Sequence, residues 1–495
     1  MSGTAAPRAH MLRRVFGAIL VLASIGTLAY VEVQRPVIPE GASAARSDLD
    51  AFAQMPTRSR ISTSWFCPGV AAGDGVSKGR VVIANPTDVD ITAAVTLLSD
   101  GNPEQQTVTV AARSRQSVDL LRGRTKGVVV PVVEVIGSQG VVEQQLDFAA
   151  GDTTSLCATS TSSSWFFADG FTLEGSRERL ILANPFPESA VVNITFSTID
   201  GQRRPTALQG FIMPARSVKS FDMSKEGANE EQLLAIEVRA TTGKIIASRA
   251  QHYLGGGRLG YSTTLGLPLA RSKWWFAGGQ TATNAIEKLV LYNPGERDIV
   301  VDAVFLHQEL NANADSSGPI PPLGTTSIAV PAGGVVSVNT ESAASLPKGA
   351  HGIVLSTSSQ AEFVAEHAFS RKTKSSTFTA LTQGTPDELT SRVWWIPTGV
   401  TPDSRDALSI LNTTSEPAVL SVVGIGPGGE FPLAGLTDIV LPPAGVRNIS
   451  FPKDVTDGQL IVRSTEPLVV RRQLNRGHGL VGFSSVLALP QRGQQ

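Results

Sequence analysis

Short apolar runs that alternate with polar residues and stop at turn residues fill most of the chain after residue 61. Two examples are ITAAVTLLSDG at residues 91–101 and VVNITFSTIDG at residues 191–201. Alternation over four to eight residues is typical of a half-buried strand, and Asp-Gly, Asn-Pro and Pro-Ala pairs mark turns. Roughly seven such runs recur per ~100 residues, and helical periodicity is confined to short stretches such as KEGANEEQLLA. The pattern predicts an all-β fold.

The runs form a repeat with two landmarks. Four aromatic clusters contain all six tryptophans, and an apolar run that ends in asparagine follows each cluster. The asparagine lies 20, 19, 19 and 18 residues after the first tryptophan of its cluster. Because two features keep step through four occurrences, they indicate a tandem repeat. The landmarks are Trp65, Trp165, Trp274 with Trp275, and Trp394 with Trp395, followed by Asn85, Asn184, Asn293 and Asn412.

The repeat length selects between two β architectures. Seven strands in ~100 residues suit an immunoglobulin-like β-sandwich, whereas a propeller blade has four strands in ~40 to 50 residues. We therefore expect four tandem immunoglobulin-like β-sandwich repeats, arranged in a row. Their predicted ranges are residues 62–160, 161–270, 271–390 and 391–495.

The N-terminal sequence predicts the subcellular location of the protein. Residues 15–31 carry no charge and follow three arginines within residues 1–14. Seventeen helical residues span ~26 Å, enough for a short membrane anchor, and the basic flank should stay in the cytoplasm. The bulk of the chain would then be extracytoplasmic on a single-pass anchor, joined by a linker at residues 32–61. A cleavable signal ending at the small residues Thr27 and Ala29 remains open, and would make the protein secreted.

The two cysteines belong to the first repeat alone. Cys67 lies in its aromatic cluster and Cys157 in its closing run. An exported protein permits a disulfide between them, which would contribute ~4 kcal/mol by closing a long loop. Two buried free thiols are the alternative.

The recurring aromatic pairs and asparagines have a simple structural interpretation. One ring of each pair would face the core and the other the junction with the next repeat, since neighbouring strand residues point to opposite faces. The asparagines would hydrogen-bond turn backbone. An exposed platform for sugar stacking or a protein contact is the alternative, and the doubled clusters Trp274/Trp275 and Trp394/Trp395 are its candidates.

Candidate chemistry is sparse. With 42 basic and 43 acidic residues, the chain has no footprint for nucleic acid, and no motif indicates a cofactor, a metal or a catalytic centre. Asp169, Glu174 and Glu178 lie near one aromatic cluster, where paired carboxylates could flank a glycosidic bond. The adjacent Glu366 and His367 should point to opposite faces of a strand, which argues against a catalytic pair.

The densest basic patch is VVRRQLNRG, which contains Arg471, Arg472 and Arg476. It is a candidate contact for an anionic glycan or a lipid head group. A solvated sheet face is the alternative interpretation.

The segments WFFADGFT…LILANP…PARS and KWWFAGGQT…LVLYNP resemble a repeat of secreted and surface proteins of actinobacteria. From about residue 60 onward the chain also resembles an uncharacterised actinobacterial family of N-terminally anchored envelope proteins. The fourth repeat departs from the pattern, with LNTT in place of Asn-Pro. The resemblance implies a position outside the membrane and a non-enzymatic role, and it supplies neither catalytic residues nor a ligand.

These observations predict a non-catalytic structural or interaction protein of the cell envelope, held by its N-terminal helix. Its expected partners are an envelope protein or polysaccharide. A glycan-binding accessory to polysaccharide assembly and an unrecognised glycoside-active enzyme are the alternatives. The sequence does not decide the oligomeric state.

Overall fold

A computed structural model describes residues 49–56, 62–136, 139–148, 153–307, 321–374, 376–399, 406–451, 458–475 and 483–492. The predicted basic segment, the anchor at residues 15–31 and most of the linker lie outside these ranges. No helix of the described residues is both long and apolar enough to cross a membrane. Within the described ranges the protein is almost entirely β, which confirms the all-β prediction.

The strands fall into four units that follow the predicted repeats. Unit 1 contains β1 Ser62–Phe66, β2 Val70–Ala71, β3 Val76–Ala84, β4 Ile91–Leu98, β5 Glu104–Val110, β6 Arg115–Asp119, β7 Val128–Ile136, β8 Val141–Phe148 and β9 Thr153–Leu156. Unit 2 contains β10 Ser164–Gly170, β11 Arg177–Asn184, β12 Ala190–Thr198, β13 Gly201–Arg203, β14 Phe211–Met213, β15 Ser217–Asp222, β16 Leu234–Thr242, β17 Ile246–Tyr253 and β18 Gly260–Leu265.

Units 3 and 4 continue the series. Unit 3 contains β19 Lys273–Thr281, β20 Ala285–Tyr292, β21 Ile299–His307, β22 Gly324–Val330, β23 Val335–Asn339, the short helix α1 Thr340–Ala344, β24 Gly349–Ser356, β25 Val364–Lys372, β26 Thr377–Gln383 and β27 Thr385–Pro386. Unit 4 contains β28 Ser391–Ile396, β29 Ala407–Asn412, β30 Ala418–Gly426, β31 Gly429–Pro432, β32 Ile439–Leu441, β33 Val446–Ser450, β34 Gln459–Asn475, β35 Phe483–Leu487 and β36 Leu489–Pro490. Single 3₁₀ turns lie at Leu173–Gly175, Thr206–Leu208 and Asp387–Leu389.

Each unit is built from two antiparallel sheets with the same strand order. In unit 1 the sheets are β1-β7-β4-β5 and β6-β3-β8-β9, and units 2 and 3 repeat this order with their own strands. In unit 4 the long β34 runs through both sheets, pairing first with β28 and β30 and then with β29 and β35. An immunoglobulin domain places its first, second and fifth strands on one sheet. If the two-residue β2 is left out of the count, the first, second and fifth strands here are β1, β3 and β6. Because β1 lies on the opposite sheet from β3 and β6, the strand order is not the immunoglobulin one.

The four units close into a ring. The closing strands β9, β18, β26 and β35 contact one another in a cycle, which brings unit 4 against unit 1. Side chains bridge these strands: the Ser155 hydroxyl donates to the Thr263 carbonyl at 2.5 Å, and the Thr382 hydroxyl donates to the Ser485 hydroxyl at 2.7 Å. The closing strands are rich in Ser and Thr because their outer edges meet at the centre, where hydroxyls satisfy backbone groups. The expected row of separate domains is wrong, since residues 48–495 form one compact unit.

The segment that precedes unit 1 is built into this centre. Phe52 is buried and its ring centroid lies 6.4 Å from that of Trp274. The Met55 N–H donates to the Pro490 carbonyl at 2.9 Å, and Asp50 pairs with Arg492 at 3.4 Å. These contacts lie beyond the ends of the closing strands, so we call this the entry end of the ring. The loop end is the opposite one, where the closing strands begin.

The repeated asparagine joins two turns in every unit. The Asn293 side-chain amide donates to the carbonyls of Arg297, Val330 and Pro331 at 2.7, 3.2 and 3.1 Å, and its oxygen accepts the Gly295 N–H at 2.9 Å. One side chain thus ties the turn after its own strand to the turn after β22. The buried Asn85, Asn184 and Asn412 make the corresponding bonds. This network explains why the asparagine recurs even in units 3 and 4, whose second turns read PAGG and PPAG in place of Ala-Arg-Ser.

Replacing Asn293 with alanine is expected to lower the free energy of unfolding by about 2–4 kcal/mol, because three carbonyls lose their donor, one of the bonds is buried and the other two are half-buried. Chemical denaturation of both proteins measures the difference. Asn102→Ala, at an exposed position, is the control and should change stability by less than about 0.5 kcal/mol. Equal stability of the two variants would contradict a shared structural role for these asparagines.

Candidate functional site

The first tryptophan of each cluster is a core residue. Trp65, Trp165, Trp274 and Trp394 are at most 1% exposed. Each indole N–H donates to a backbone carbonyl of its own unit, for example from Trp274 to Phe363 at 2.9 Å. A bulge or register shift after the aromatic pair in β10 and β19 turns the next residues toward the neighbouring unit.

The second aromatic residue of the cluster packs on the next unit around the ring. Phe166 joins the core of unit 3, Trp275 joins the core of unit 4, and the half-buried Trp395 packs against the core of unit 1. Hydrogen bonds fix both indoles, from Trp275 to Asp387 at 2.8 Å and from Trp395 to Gln491 at 2.9 Å. The rings thus lie in the core and at the junctions, as the structural interpretation predicts, and the alternative of an exposed platform at the doubled clusters is not supported. The rings are used to join units, because the closed ring leaves no free junction.

The predicted basic patch is also internal. Arg471 and Arg472 are 6% and 1% exposed. Arg472 pairs with Asp406 at 2.8 Å and donates to the Thr398 hydroxyl at 2.5 Å. The Arg471 guanidinium lies against Gly278 of unit 3, where an added Cβ would approach its Cζ to 2.5 Å, and burial lowers the pKa of Arg471 to about 10. Neither arginine meets solvent, so the prediction of a glycan or lipid contact at these two residues is wrong; Arg476 lies outside the described residues.

Equivalent positions on β8, β17, β25 and β34 form the seams between units. Glu143 accepts the Thr398 N–H at 3.2 Å, and the Ser248 hydroxyl donates to the Pro68 carbonyl at 2.5 Å. Glu143 on β8 and Ser248 on β17 occupy this position in the first two seams. Glu366 on β25 and Arg471 on β34 occupy it in the third and fourth seams. Each seam joins a unit to the preceding one through different chemistry, so no seam matches another.

The seam between units 2 and 3 contains a buried cluster of charges. Glu366 accepts hydrogen bonds from the N–H groups of Ala168 and Asp169 at 2.9 and 2.7 Å. Its carboxylate also pairs with Arg249 at 2.9 Å, and both side chains are at most 1% exposed. Asp169 in turn pairs with Arg258 at 3.0 Å. Sequence reasoning missed the two arginines, because a polar residue on a strand ordinarily indicates a solvent face.

Glu178 completes this cluster without a charge partner of its own. It is fully buried, and neither carboxyl oxygen has a hydrogen-bond partner in the described part of the chain. Burial raises the pKa of Glu178 to about 8, with Arg249 opposing the shift and Glu366 and Asp169 adding to it. Burial thus favours the neutral form of this carboxyl, beside the Arg249–Glu366 and Arg258–Asp169 ion pairs.

These carboxyl groups are inaccessible to a substrate. Asp169 and Glu178 are 0% exposed, while Glu174 lies on the surface and accepts the Gly256 N–H at 2.7 Å. The residues proposed as a glycosidase pair are thus split between a sealed seam and an exposed turn.

Adjacent residues Glu366 and His367 do point in opposite directions. Glu366 faces unit 2, whereas the His367 Nε2 lies 2.7 Å from Glu287 inside unit 3. His351 contacts the other oxygen of Glu287 at 2.8 Å, and Thr340 donates to it at 2.7 Å. The two histidines hold the pKa of the Glu287 carboxyl well below its ordinary value against the effect of burial. Within the described ranges no group of three or more His, Cys, Asp or Glu side chains is arranged to hold a metal ion.

The predicted disulfide is confirmed. Cys67 and Cys157 are bonded, with 4.2 Å between their Cα atoms. Both cysteines are fully buried. The bond joins the end of β1 to the segment after β9 and so fixes the start of unit 1 to its closing strand.

A small cavity of about 70 Å³ lies among the closing strands, with Ala51 and Phe52 at its entry end. Among the described residues, no charged side chain lines it. At ~15 Å³ per molecule it has room for about five waters. Its size suits bound water rather than a substrate.

Two open grooves among the described residues lie at the loop end. One, of about 870 Å³, runs between the β2–β3 and β6–β7 turns of unit 1; we call it the basic groove because Lys78, Arg80 and Arg124 line it. A second, of about 430 Å³, lies between the β17–β18 and β25–β26 turns and includes Glu174. Asp74, in the turn beside the first groove, pairs with Arg179 of unit 2 at 3.3 Å, which places both grooves at one end.

Comparisons with known proteins give a family but no activity. The model described as "Family of unknown function (DUF5719)" matches residues 138–257 and 269–480. No curated protein matches the sequence.

Three solved structures are similar to the chain at low TM-scores. That of Thermotoga maritima 1070 is 20% identical over 21% of this chain and 93% of that chain, with a TM-score of 0.18. Streptomyces avermitilis α-L-rhamnosidase complexed with L-rhamnose is 9% identical over 86% and 43%, at 0.13. A tetra-tandem repeat from the extending region of a large adhesion protein is 11% identical over 84% and 96%, at 0.10. At these scores the likenesses carry no argument.

Proposed function

Because the chain belongs to that family of unknown function, DUF5719, we propose its role from its own residues: a membrane-anchored, extracytoplasmic interaction protein of an actinobacterial cell envelope that acts without catalysis. One observation carries the proposal. The recurring aromatic residues and the buried charges of the seams join the units, and the recurring asparagines tie the turns within each unit, while the turns of the loop end remain open to solvent. A rigid scaffold whose recurring residues stabilise the fold, and whose loops are exposed, is suited to binding.

Two further features support the location. The Cys67–Cys157 bond suits an oxidising compartment outside the cytoplasm. The uncharged segment 15–31 with its basic flank favours an N-terminal anchor, or a cleaved signal if the protein is released.

A second candidate function is a glycan-binding accessory to envelope polysaccharide assembly. The basic groove favours it, since its polar lining and its volume fall in the usual range for ligand sites, ~300–1,000 Å³. A glycoside-active enzyme gains no support, because Asp169 and Glu178 are sealed between units.

The location is tested by fusing alkaline phosphatase or green fluorescent protein to the C-terminus in an actinobacterial host. We expect an active phosphatase fusion, a dark fluorescent fusion, and recovery of the protein in the membrane fraction. A control that lacks residues 1–31 should stay cytoplasmic with Cys67 and Cys157 reduced on a non-reducing gel. A fluorescent full-length fusion with reduced cysteines would overturn the proposal.

A further inference from the structure

The four units provide an internal comparison that separates what the fold requires from what one unit adds. The fold requires the core tryptophan and the turn asparagine, since both recur in every unit. The turn between β6 and β7 does not recur: unit 1 has LRGRTKG at residues 121–127. Unit 2 has the acidic KEGANEE at residues 225–231, and unit 3 has the nearly neutral TESAASLPKG at residues 340–349. The basic turn is therefore an addition of unit 1 that the architecture does not need.

This turn forms one wall of the basic groove. The opposite wall is the β2–β3 turn, whose Gly73 and Gly75 adopt φ values of +91° and +87°. A Cβ at Gly73 would meet the Thr125 carbonyl at 2.6 Å, so glycine is needed for the two walls to approach. Gly123 has φ +77° and no atom within 4 Å of a would-be Cβ, which leaves the backbone open to the groove.

The arginines of the groove are held in place by neighbours. Arg80 donates to Gln145 at 2.9 Å and pairs with Asp147 at 3.2 Å. Arg122 and Arg124 share a single carboxylate, that of Glu104. Guanidinium groups that are already positioned lose little side-chain entropy when they bind an anion.

The charge balance of the groove is positive. The charged side chains that line it are Lys78, Arg80, Arg124 and Asp119. Three cations against one anion leave two positive charges, although the whole chain has a net charge of −1. Arg122 and Lys126 belong to the same turn as Arg124. The Asp119 carboxylate is engaged by the backbone N–H groups of Leu121 and Arg122 at 2.9 and 3.2 Å. Lys78 and Lys126 are exposed and have no carboxylate partner in the described part of the chain.

We propose that the basic groove of unit 1 binds a segment of an anionic polysaccharide, with its cations contacting phosphate or carboxylate groups and its hydroxyls and open backbone contacting the sugars. The groove is open along its length, which suits a polymer that continues past the site. Ser77, Ser117 and Thr125 supply the neutral hydrogen-bonding groups. The inference rests on the proposed function, because the protein meets such a polymer only if it lies in the cell envelope. It adds the chemical class of the partner.

Binding of purified residues 48–495 to defined probes tests the proposal. The probes are polygalacturonate for carboxylate, a glycerol-phosphate teichoic acid for phosphate, and neutral dextran. The test variant is Lys78→Ala/Lys126→Ala, which removes the two unpaired cations and no buried contact. The matched control is Lys219→Ala/Lys348→Ala, which removes the same charge from exposed positions on units 2 and 3.

We expect at least one anionic polymer to bind and dextran not to bind. Because binding to a polyanion releases its counterions, the affinity should fall as salt is added. Lys78→Ala/Lys126→Ala should weaken binding about tenfold and flatten the salt dependence, and the control should bind as the wild type does. Which polymer binds identifies the anionic group. Absence of binding to both polyanions, or equal loss in both variants, would overturn the groove proposal. Either result leaves the fusion test of location unaffected, so the two proposals fail separately.

Discussion

Arg249→Met is expected to destabilise the protein by about 3–5 kcal/mol, because it leaves the Glu366 carboxylate buried without its counter-charge. The two side chains are at most 1% exposed and 2.9 Å apart across the seam between units 2 and 3. The effect is measured by chemical denaturation at pH 7. Because the seam joins two units, we also expect faster proteolysis at the unit boundary.

A double variant separates loss of the ion pair from loss of packing. Arg249→Met/Glu366→Gln removes both charges while the amide oxygen can still accept from Ala168 and Asp169, and it should recover at least half of the lost stability. The matched control is Arg239→Met, whose arginine pairs with Glu237 but is 59% exposed, and it should cost less than about 1 kcal/mol. If the double variant is as unstable as Arg249→Met, the Arg249 side chain stabilises the seam mainly by packing and not by its charge.

Glu178→Gln is expected to change how stability depends on pH. Burial raises the pKa of Glu178 in the folded protein from 4.5 to about 8. The folded state therefore holds a proton that the unfolded state releases above its own pKa, and this contribution to stability is full below pH 4.5 and is lost as pH rises to 8. Glutamine is neutral in both states. The stability of the variant relative to wild type should rise by about 3 kcal/mol between pH 5 and 8, at ~1.4 kcal/mol per unit.

The comparison uses the difference between variant and wild type, so other titrating groups cancel. Urea denaturation at half-unit steps from pH 5 to 9 gives the curve, which should level off above pH 8. Glu188→Gln, at an exposed carboxyl, should track the wild type at every pH. A Glu178→Gln curve parallel to the wild type would mean that the carboxyl is already ionised in the folded protein.

The landmarks of the repeat were readable from the sequence because each has a local cause. Asn293 recurs because its amide serves turns that follow strands of fixed length. Trp274 begins a strand and so lies at a fixed place in the core of its own unit. The cysteine pair was readable because Cys67 and Cys157 flank one repeat.

The candidate site was predicted poorly, and the reason is the ring. Arg471 and Arg472 look like a solvated basic face, because charged residues on strands usually are. They are buried because β34, like β8, β17 and β25, is covered by its own unit on one side and by the preceding unit on the other. The basic groove was missed as well, since Lys78 and Lys126 lie 48 residues apart, and only the pairing of β3 with β6 brings Lys78 on β3 near the turn after β6 that contains Lys126.

The strands, the fourfold repeat, the turn chemistry and the pairing of the cysteines could be predicted from the sequence, because these features depend on residue spacing within a unit. Closure of the units into a ring could be seen only in the folded protein. Closure depends on contacts between units that are more than a hundred residues apart, such as Glu143 with Thr398, and no periodic pattern encodes them. The ring also determines which charges are buried in the seams and which remain at the loop end. The neighbouring unit buries the second face of a strand, and the alternation of apolar and polar residues along that strand does not predict this burial.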